Sequence, residues 1–484
     1  MTWTCLIHYE GATSRSLSVV ASIVADLRGE KKDVAIVDLQ PTTVIRQGLP
    51  TNFLAKILGH SVRNQGLATE LTKLGAKYSK LTIIEKSDKI PQVQFDEINA
   101  AVDSELFTYF RLDYIPRSVE AVSLRAKLIA NATKTYWSLN ALWTADQPGE
   151  VLVPNGRTSR QKAARILAES FQIPVRLYEN GRARENSYYL GTTQPHDRLA
   201  SQSEVYEFTK HLSGEETKRL ADEWLASRIR GEGGTNLFSV GWEKARVNIQ
   251  KSSDKKRAVF FASSFDEFLA FGQMWNIDAW STRFEAFERI MHHFSNQDTH
   301  LILRLHPNLA SKSRKYFLKE VEEILNLQKK FPSLEIHWHN SKVNSYQLVD
   351  SADYVIVERS TIGLESNLLG KPVWVTQASQ WDKIADVRSV LSPSDANEAK
   401  LTPWKVSQEG AQKFVAYWMM QEKPLHYGPK HWASWDPEKA GPSIKLLQLT
   451  LRNSLRHKIR LVGLELARIR NNMFSPPPNR FRER

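Results

Sequence analysis

The sequence predicts an α/β chain built from two doubly wound, parallel-sheet domains facing a cleft. Three observations lead there. Short apolar runs alternate with amphipathic helical segments along most of the chain. The alternation lapses from about Gly191 to Gln250 and then restarts. The 484 residues also exceed one compact core, at roughly 100–200 residues per domain.

The first half reads in order as follows. "TCLIHYEG" (4–11) is a strand, and "SRSLSVVASIVADLRGE" a helix behind a serine cap. "DVAIVDLQ" (33–40) is a second strand. "TNFLAKILGHS" and "LATELTKLGAKYSK" read as helices, and "LTIIE" (81–85) as a third strand. "SLRAKLIANATKTYWSLNALWTA" (123–145) is a long helix. "GEVLVPNG" (149–156), "SRQKAARILAESFQ" and "IPVRLYENG" (173–181) complete a strand–helix–strand unit. The charged helical stretch from about 191 and the Gly-rich "RGEGGTN" (230–236) read as the domain junction.

In the second half, strands are expected at "KKRAVFFASS" (255–264), "THLILRLHPN" (299–308), "SLEIHWHN" (333–340), "DYVIVERS" and "KPVWVT" (371–376). Helices fall between them, and "AQKFVAYWMMQE" (411–422) is a later helix. The expected domains are 1–235, with the helical junction at its end, and 236–430. Residues 431–484 form a basic amphipathic helix and a disordered end.

Ligands of open parallel sheets bind beyond the carboxyl ends of the strands. In the second half those ends carry Ser263-Ser264, Arg304-Leu305-His306-Pro307-Asn308 and Glu358-Arg359-Ser360-Thr361. Ser360 and Thr361 precede the helix "IGLESNLLG", whose first-turn amides suit an anion. The same residues also read as an ordinary helix cap. Gly363 offers close backbone approach to a ligand, and Glu365, one turn on, a partner for ribose hydroxyls. His306 is placed to donate to a phosphate as charge develops on it, with Arg304 on the same strand face.

The segments "FFASSFDEF", "LILRLHPN" and "YVIVERSTIGLESNLLGKPVWV" resemble bacterial capsule and surface-polysaccharide glycosyltransferases of the GT-B fold. The Kdo transferases of capsule assembly and bacterial sialyltransferases are similar in their His-Pro and Ser-Ser/Ser-Thr motifs. The likeness is clearest from about Ala258 to Thr376. It implies that His306, Pro307, Ser360 and Thr361 hold the nucleotide phosphate of an activated sugar. The related acidic motif falls on Glu179-Asn180-Gly181, with Asn in the second acidic place, and Asn155-Gly156-Arg157 precedes it. It implies Glu179 as the base that takes the acceptor's proton. Glu-Asn-Gly is equally a turn sequence, and His8 with Glu10 is a competing acid–base pair at the end of the first strand.

On this reading the chain is expected to be a metal-independent glycosyltransferase for bacterial surface polysaccharide, without a resident cofactor. Its substrates are a nucleotide sugar held by 236–430, with the likeness tilting toward a CMP-linked donor, and a glycan or lipid-linked acceptor held by 1–235. The catalytic residues are Glu179 and His306. The donor site comprises Ser263, Ser264, Arg304, His306, Pro307, Arg359, Ser360, Thr361 and Glu365. The rivals are a sugar-nucleotide epimerase of the same fold and a non-catalytic basic scaffold.

Other signals are weaker. His292-His293, His337 and His339 lack a third residue at metal-ligand spacing, and Asp266-Glu267 suits a helix start. Phosphate-loop and nucleophile-elbow motifs are absent, as are nucleic-acid modules. The lone cysteine, Cys5, fits a reducing compartment, and the start "MTWTCLIHYEG" lacks the pattern of a secretory signal. A cytoplasmic location is therefore expected. The net charge is +13, and 452–484 carries nine Lys/Arg against two Glu. There Leu451, Leu455, Ile459, Val462, Leu466 and Ile469 form a helical stripe. Such a helix suits an anionic membrane surface on the inner face, a partner subunit or the protein's own body.

Overall fold

The computed structural model describes residues 3–8, 14–39, 71–86, 88–112, 114–231, 255–264, 268–275, 279–295, 297–399, 401–428 and 466–474. The chain forms two α/β units, each around its own mainly parallel sheet. The first unit takes residues 1–195 and 421–463, and the second 196–420 and 464–484.

In the first unit the strands are β1 (Thr4–His8), β2 (Val34–Asp38), β3 (Lys77–Lys80), β4 (Glu150–Pro154), β5 (Val175–Asn180) and β6 (Ser187–Gly191). A last strand, here β13, comes from Glu422–Pro424. The order is β13-β6-β5-β4-β1-β2-β3. β1 to β5 run parallel, while β6 and β13 close one edge antiparallel. β1 lies between β2 and β4, so the strand order reverses there, and its carboxyl end is His8. Helices α1 (Ser14–Gly29), α2 (Gln92–Phe110), α3 (Val119–Ala145) and α4 (Ser159–Ser170) complete the unit. Thr158 and Gln161 form a capping box that starts α4 directly beyond β4.

In the second unit α5 (Arg198–Thr209) and α6 (Gly214–Ile229) precede the sheet. Its strands are β7 (Lys256–Phe261), β8 (Thr299–Arg304), β9 (Glu335–His337), β10 (Tyr354–Val357), β11 (Val373–Val375) and β12 (Arg388–Ser389). All pairs are parallel, in the order β12-β11-β10-β7-β8-β9. The intervening helices are α7 (Glu285–Ser295), α8 (Arg314–Lys330), α9 (Ser345–Ser351) and α10 (Thr361–Leu368). Two later ones are α11 (Pro393–Glu398) and α12 (Glu409–Met420). The chain winds outward from β7 on one side and from β10 on the other. The reversal therefore lies between the ends of β7 and β10, where Ser263-Ser264 and Glu358-Arg359 emerge.

Three expectations are corrected. The third strand is not 81–85 but Lys77–Lys80, an exposed edge strand paired only with β2. An edge strand has little to bury, so its polar "KYSK" carries no apolar signal. The domain boundaries also differ. Helices α5 and α6 belong to the second unit: Trp224 of α6 packs edge-on to Trp418 of α12, and Arg228 pairs with Glu365 at 3.2 Å. Residues 421–463 belong to the first, because β13 extends its sheet and Glu422 accepts backbone N–H groups of Arg182, Ala183 and Arg184. Of the C-terminal tail, finally, the described residues 466–474 belong to the second unit rather than to a separate element. Its helical residues 466–472 dock in the second unit through buried Ala467 and Asn471, while Leu466 and Ile469 of the expected stripe are exposed. The rest of that stripe, the 51–61 and 67–70 stretches and most of "RGEGGTN" lie outside the described residues.

Candidate functional site

In the second unit the exits of β7, β8 and β10 are tied together by hydrogen bonds. Beyond β7, the Ser263 N–H donates to the carboxylate of buried Glu358, and Ser263 Oγ accepts the Arg359 N–H at 3.4 Å. Ser264 Oγ accepts from Asn308 Nδ2 at 3.1 Å and from Lys312 Nζ at 3.0 Å. Beyond β8, His306 caps the short 3-10 turn Pro307–Ser311, its Nδ1 accepting the Asn308 N–H at 3.1 Å. Pro307 occupies the first position of that turn. Asn308 thus links the β8 exit to Ser264, and Ser263 links it onward to the β10 exit.

The charges at the end of apolar β10 have partners. Arg283 lies 2.5 Å from Glu320 and 3.6 Å from Glu358, and its Nη2 donates to the Ser263 carbonyl at 2.5 Å. Burial pushes the Glu358 carboxyl up, while Arg283 opposes that shift. Burial also acts against the Arg283 charge, but Glu320 and Glu358 outweigh it and raise its pKa. Arg359 donates from Nε to Gln377 Oε1 and from Nη1 to the Trp275 carbonyl, both at 2.7 Å. Its guanidinium lies 5.0 Å from the Phe268 ring centroid.

Arg304 turns toward the β9 exit. Its donors go to the carbonyls of Trp338 (2.5 Å), His337 (3.4 Å) and Ser341 (3.4 Å). Burial lowers its pKa to about 10. Desolvation, with Arg304 and Arg283 nearby, pushes the His306 imidazole down to about 4, so the ring is neutral at pH 7. Since Nδ1 accepts, the proton of that neutral ring is on Nε2.

Ser360 and Thr361 are half-buried at the start of α10. Ser360 Oγ accepts the Ile362 N–H at 3.5 Å, so Ser360 serves as the helix cap. Two expected ligand contacts take structural roles instead. Glu365 is buried, accepting from Arg228 Nε at 3.2 Å and Tyr346 Oη at 2.7 Å, so both carboxylate oxygens have protein partners. Gly363 does not leave room for a ligand. A Cβ there would lie 2.5 Å from the Trp381 ring and 2.8 Å from Val357 Cγ2.

In the first unit Glu179 is half-buried at the end of β5. Asn155, in a left-handed conformation just past β4, donates its side-chain amide to Glu179 Oε2. The Asn180 N–H lies 3.1 Å from Oε1. The structure thus joins Asn155 and Glu179, 24 residues apart in the chain. Gly181 after them is dictated by space, since a Cβ would lie 1.9 Å from Ser187 Oγ. His8 is buried at the end of β1, in register with Asp38. Burial lowers its pKa and Asp38 opposes that effect. Asp38 also accepts from Tyr78 Oη at 2.5 Å. Nearby, Arg160 donates from Nε to Thr135 Oγ1 at 2.9 Å and from Nη2 to the Leu39 carbonyl. Glu10 and Asp266-Glu267 lie outside the described residues.

Sequence reasoning did not single out Lys312, Asp38 or Arg283. Asn308 was visible as the residue after His-Pro, but Lys312 carries no signal beyond being basic. Among the described residues no group of three or more His, Cys, Asp or Glu is placed to hold a metal ion. His337 and His300 share Glu335, at 3.0 and 3.1 Å, and His339 reaches the Asn471 carbonyl at 2.9 Å. Among the described residues no helix is long and apolar enough to cross a membrane.

No protein-family model and no curated protein matches the sequence. Solved structures give weak likenesses. KpsC β-Kdo 2,4 transferase of Thermosulfurimonas dismutans is 13% identical, with a TM-score of 0.37 over 56% of this chain and 80% of that one. The β-Kdo 2,7 transferase of the same organism's KpsC is 14% identical, at 0.34 over 58% and 80%. A UDP-GlcNAc 2-epimerase of Methanocaldococcus jannaschii, solved with UDP-GlcNAc and UDP, is 12% identical, at 0.30 over 87% and 100%. The fold rests on the chain's own sheet order.

Proposed function

We propose that the protein is a glycosyltransferase of GT-B type that uses a nucleotide-activated sugar. The observation that carries this reading is the hydrogen-bonded convergence of the β7, β8 and β10 exits at the strand-order reversal of the second unit. Ser264, His306 and the first turn of α10 supply donors suited to a nucleotide phosphate. The donor's phosphate occupies this place, with Ser263, Pro307, Ser360 and Thr361 shaping it. Arg304, Arg359 and Glu365 act through it as supports, since each is bonded to protein groups.

Transfer is direct in this reading. An acceptor hydroxyl oxygen bonds to the anomeric carbon as the bond from that carbon to the phosphate oxygen breaks. The electron pair leaves on the phosphate, which the donors of the second unit stabilise. The hydroxyl proton passes to Glu179 of the first unit. Its described partners are the Asn155 amide and the Asn180 N–H, neither of them cationic. The acceptor is a glycan or lipid-linked glycan of a bacterial surface polysaccharide. Exposed Leu466 and Ile469 beside exposed Arg470 support docking on an anionic membrane surface on the cytoplasmic side.

A thermal-shift screen against CMP, CDP, UDP, GDP and ADP tests the reading, because a ligand of the folded state raises its stability. One nucleotide, with CMP first in order, is expected to raise the melting temperature. The matching nucleotide sugar is then expected to be consumed only with acceptor, and equally in a chelator. Isomerisation of the donor without acceptor points to an epimerase. Binding of none of the five leaves the scaffold.

A further inference from the structure

Residues 466–474 return to the second unit and lie against the loops that leave β8 and β9. We propose that this segment is a clasp on the loop of the donor site beyond β8, with Asn471 as its positioning residue, so that docking of the tail and binding of the nucleotide favour each other. This rests on the nucleotide-sugar reading above and adds how its site is held and regulated.

Asn471 is fully buried, and both ends of its carboxamide are used. Nδ2 donates to the carbonyls of Ala310 and Lys312, both at 3.1 Å. Oδ1 accepts from Nη1 of Arg314, the first residue of α8, at 3.0 Å. The main-chain carbonyl of Asn471 accepts from His339 Nε2, just beyond β9, at 2.9 Å. One residue of the tail thus joins the loop after β8, the start of α8 and the loop after β9. An amide nitrogen has two hydrogens, and both are spent on the loop after β8. The turn they hold is capped by His306 and carries Asn308, whose side chain reaches Ser264 Oγ at 3.1 Å. Asn471 therefore acts on the proposed phosphate site through the backbone of that turn.

The rest of the segment is seated around this point. Asn340 Nδ2 donates to the carbonyls of Asn472 and Phe474, both at 3.2 Å. The Phe474 ring lies 5.0 Å from Trp338 and 5.5 Å from Phe317, measured between centroids. Ala467 is buried, whereas Leu466, Ile469 and Met473 are exposed. A short segment with so little buried apolar surface opens at a lower free energy than the sheet core. Each opening withdraws two tethers from the turn that His306 caps. Linkage makes the effect two-way: if the docked tail raises the affinity for nucleotide, bound nucleotide favours the docked tail by the same factor.

The test is calorimetric titration of the full chain and of Asn471→Leu with CMP, CDP, UDP, GDP and ADP. Leucine fills similar space and removes the carboxamide. Asn471→Leu is expected to weaken the bound nucleotide by at least about fivefold, the lower end of coupling between linked sites. A merely structural role would lower the melting temperature and leave the affinity of the folded protein unchanged. A folded Asn471→Leu whose loss of affinity falls short of that factor overturns the clasp and leaves the nucleotide reading standing. A parent protein that binds none of the five overturns the nucleotide reading and the clasp together. Hydrogen exchange on the parent reads the coupling from the other side, and it decides if Asn471→Leu fails to fold. The Met473 and Phe474 amides, bonded to the carbonyls of Ile469 and Asn471, are expected to exchange at least about fivefold more slowly with nucleotide bound. Unchanged exchange at those amides overturns the proposal.

Discussion

The strand ends of the two units treat their carboxylates in opposite ways. In the second unit Glu358 and Glu320 bracket the Arg283 guanidinium, and Glu365 is held by Arg228 and Tyr346. In the first, Glu179 is held by an asparagine amide and a backbone N–H. A carboxylate set against a buried guanidinium holds its loop in shape, although burial still pushes the Glu358 carboxyl up with Arg283 opposing. The described partners of Glu179 are neutral donors. The contrast separates acidic groups that build a loop from the one proposed as the base, though Glu358 and Glu179 both stand at the ends of parallel strands.

The sharpest way to break the comparison is Glu179→Gln. The amide keeps much of the shape but removes the base, so transfer is expected to fall by about 10²–10⁴-fold, with little change in donor KM. Unchanged turnover in a steady-state assay would mean that neutral described partners do not mark the base, and His8 with Asp38 would take its place. On the clamped side, Arg283→Met leaves Glu358 and Glu320 without their shared cation. Urea unfolding is expected to show a loss of about 3–5 kcal/mol. A loss under about 1 kcal/mol would show that the pairing is dispensable. Gly363→Ala tests whether that glycine serves packing. Pushing a methyl group against Trp381 and Val357 is expected to cost about 1–3 kcal/mol, measurable as a lower melting temperature.

The smallest effect concerns pH. The unfolded chain protonates His306 near 6.5, whereas the folded ring protonates near 4. Between those values the unfolded state binds more protons, so this ring's contribution falls as the pH drops through the window and is intact above it. Urea midpoints between pH 7 and pH 4.5 are expected to fall less steeply in His306→Gln than in the parent. Parallel curves would show that the ring is not held neutral.

Where burial was two-sided, the sequence was readable. The runs of β7, β8 and β10 are nearly all apolar because helices cover both faces, and their polar ends stood out for that reason. Edge strands were hidden: β3 is polar, and β12 and β13 are 2 and 3 residues long. Helix α2 shows why periodicity alone misses some elements. It buries Ile98, Val102, Leu106, Tyr109 and Phe110 in a stretch whose apolar and polar residues are loosely segregated. At the site, motifs located Ser263, Ser264, His306 and Ser360, but not what each touches. Glu365 and Gly363 looked like ligand contacts because a motif does not reveal Arg228, 137 residues away, or the Trp381 ring.

The chain passes from the first unit to the second at 195, back at 420, and across again at 463. Neither unit is therefore a continuous stretch of the gene. A fragment ending at 235 would lack β13, together with the Glu422 carboxylate that organises the turn after Glu179, and would carry α5 and α6 away from their own core. Its complement would start without Arg228, leaving Glu365 buried without its cation. Bacteria that expressed the two halves separately would yield incomplete pieces, and recombination at 230–236, inside the second unit, would be poorly tolerated, whereas exchange of surface loops within either unit would be accepted.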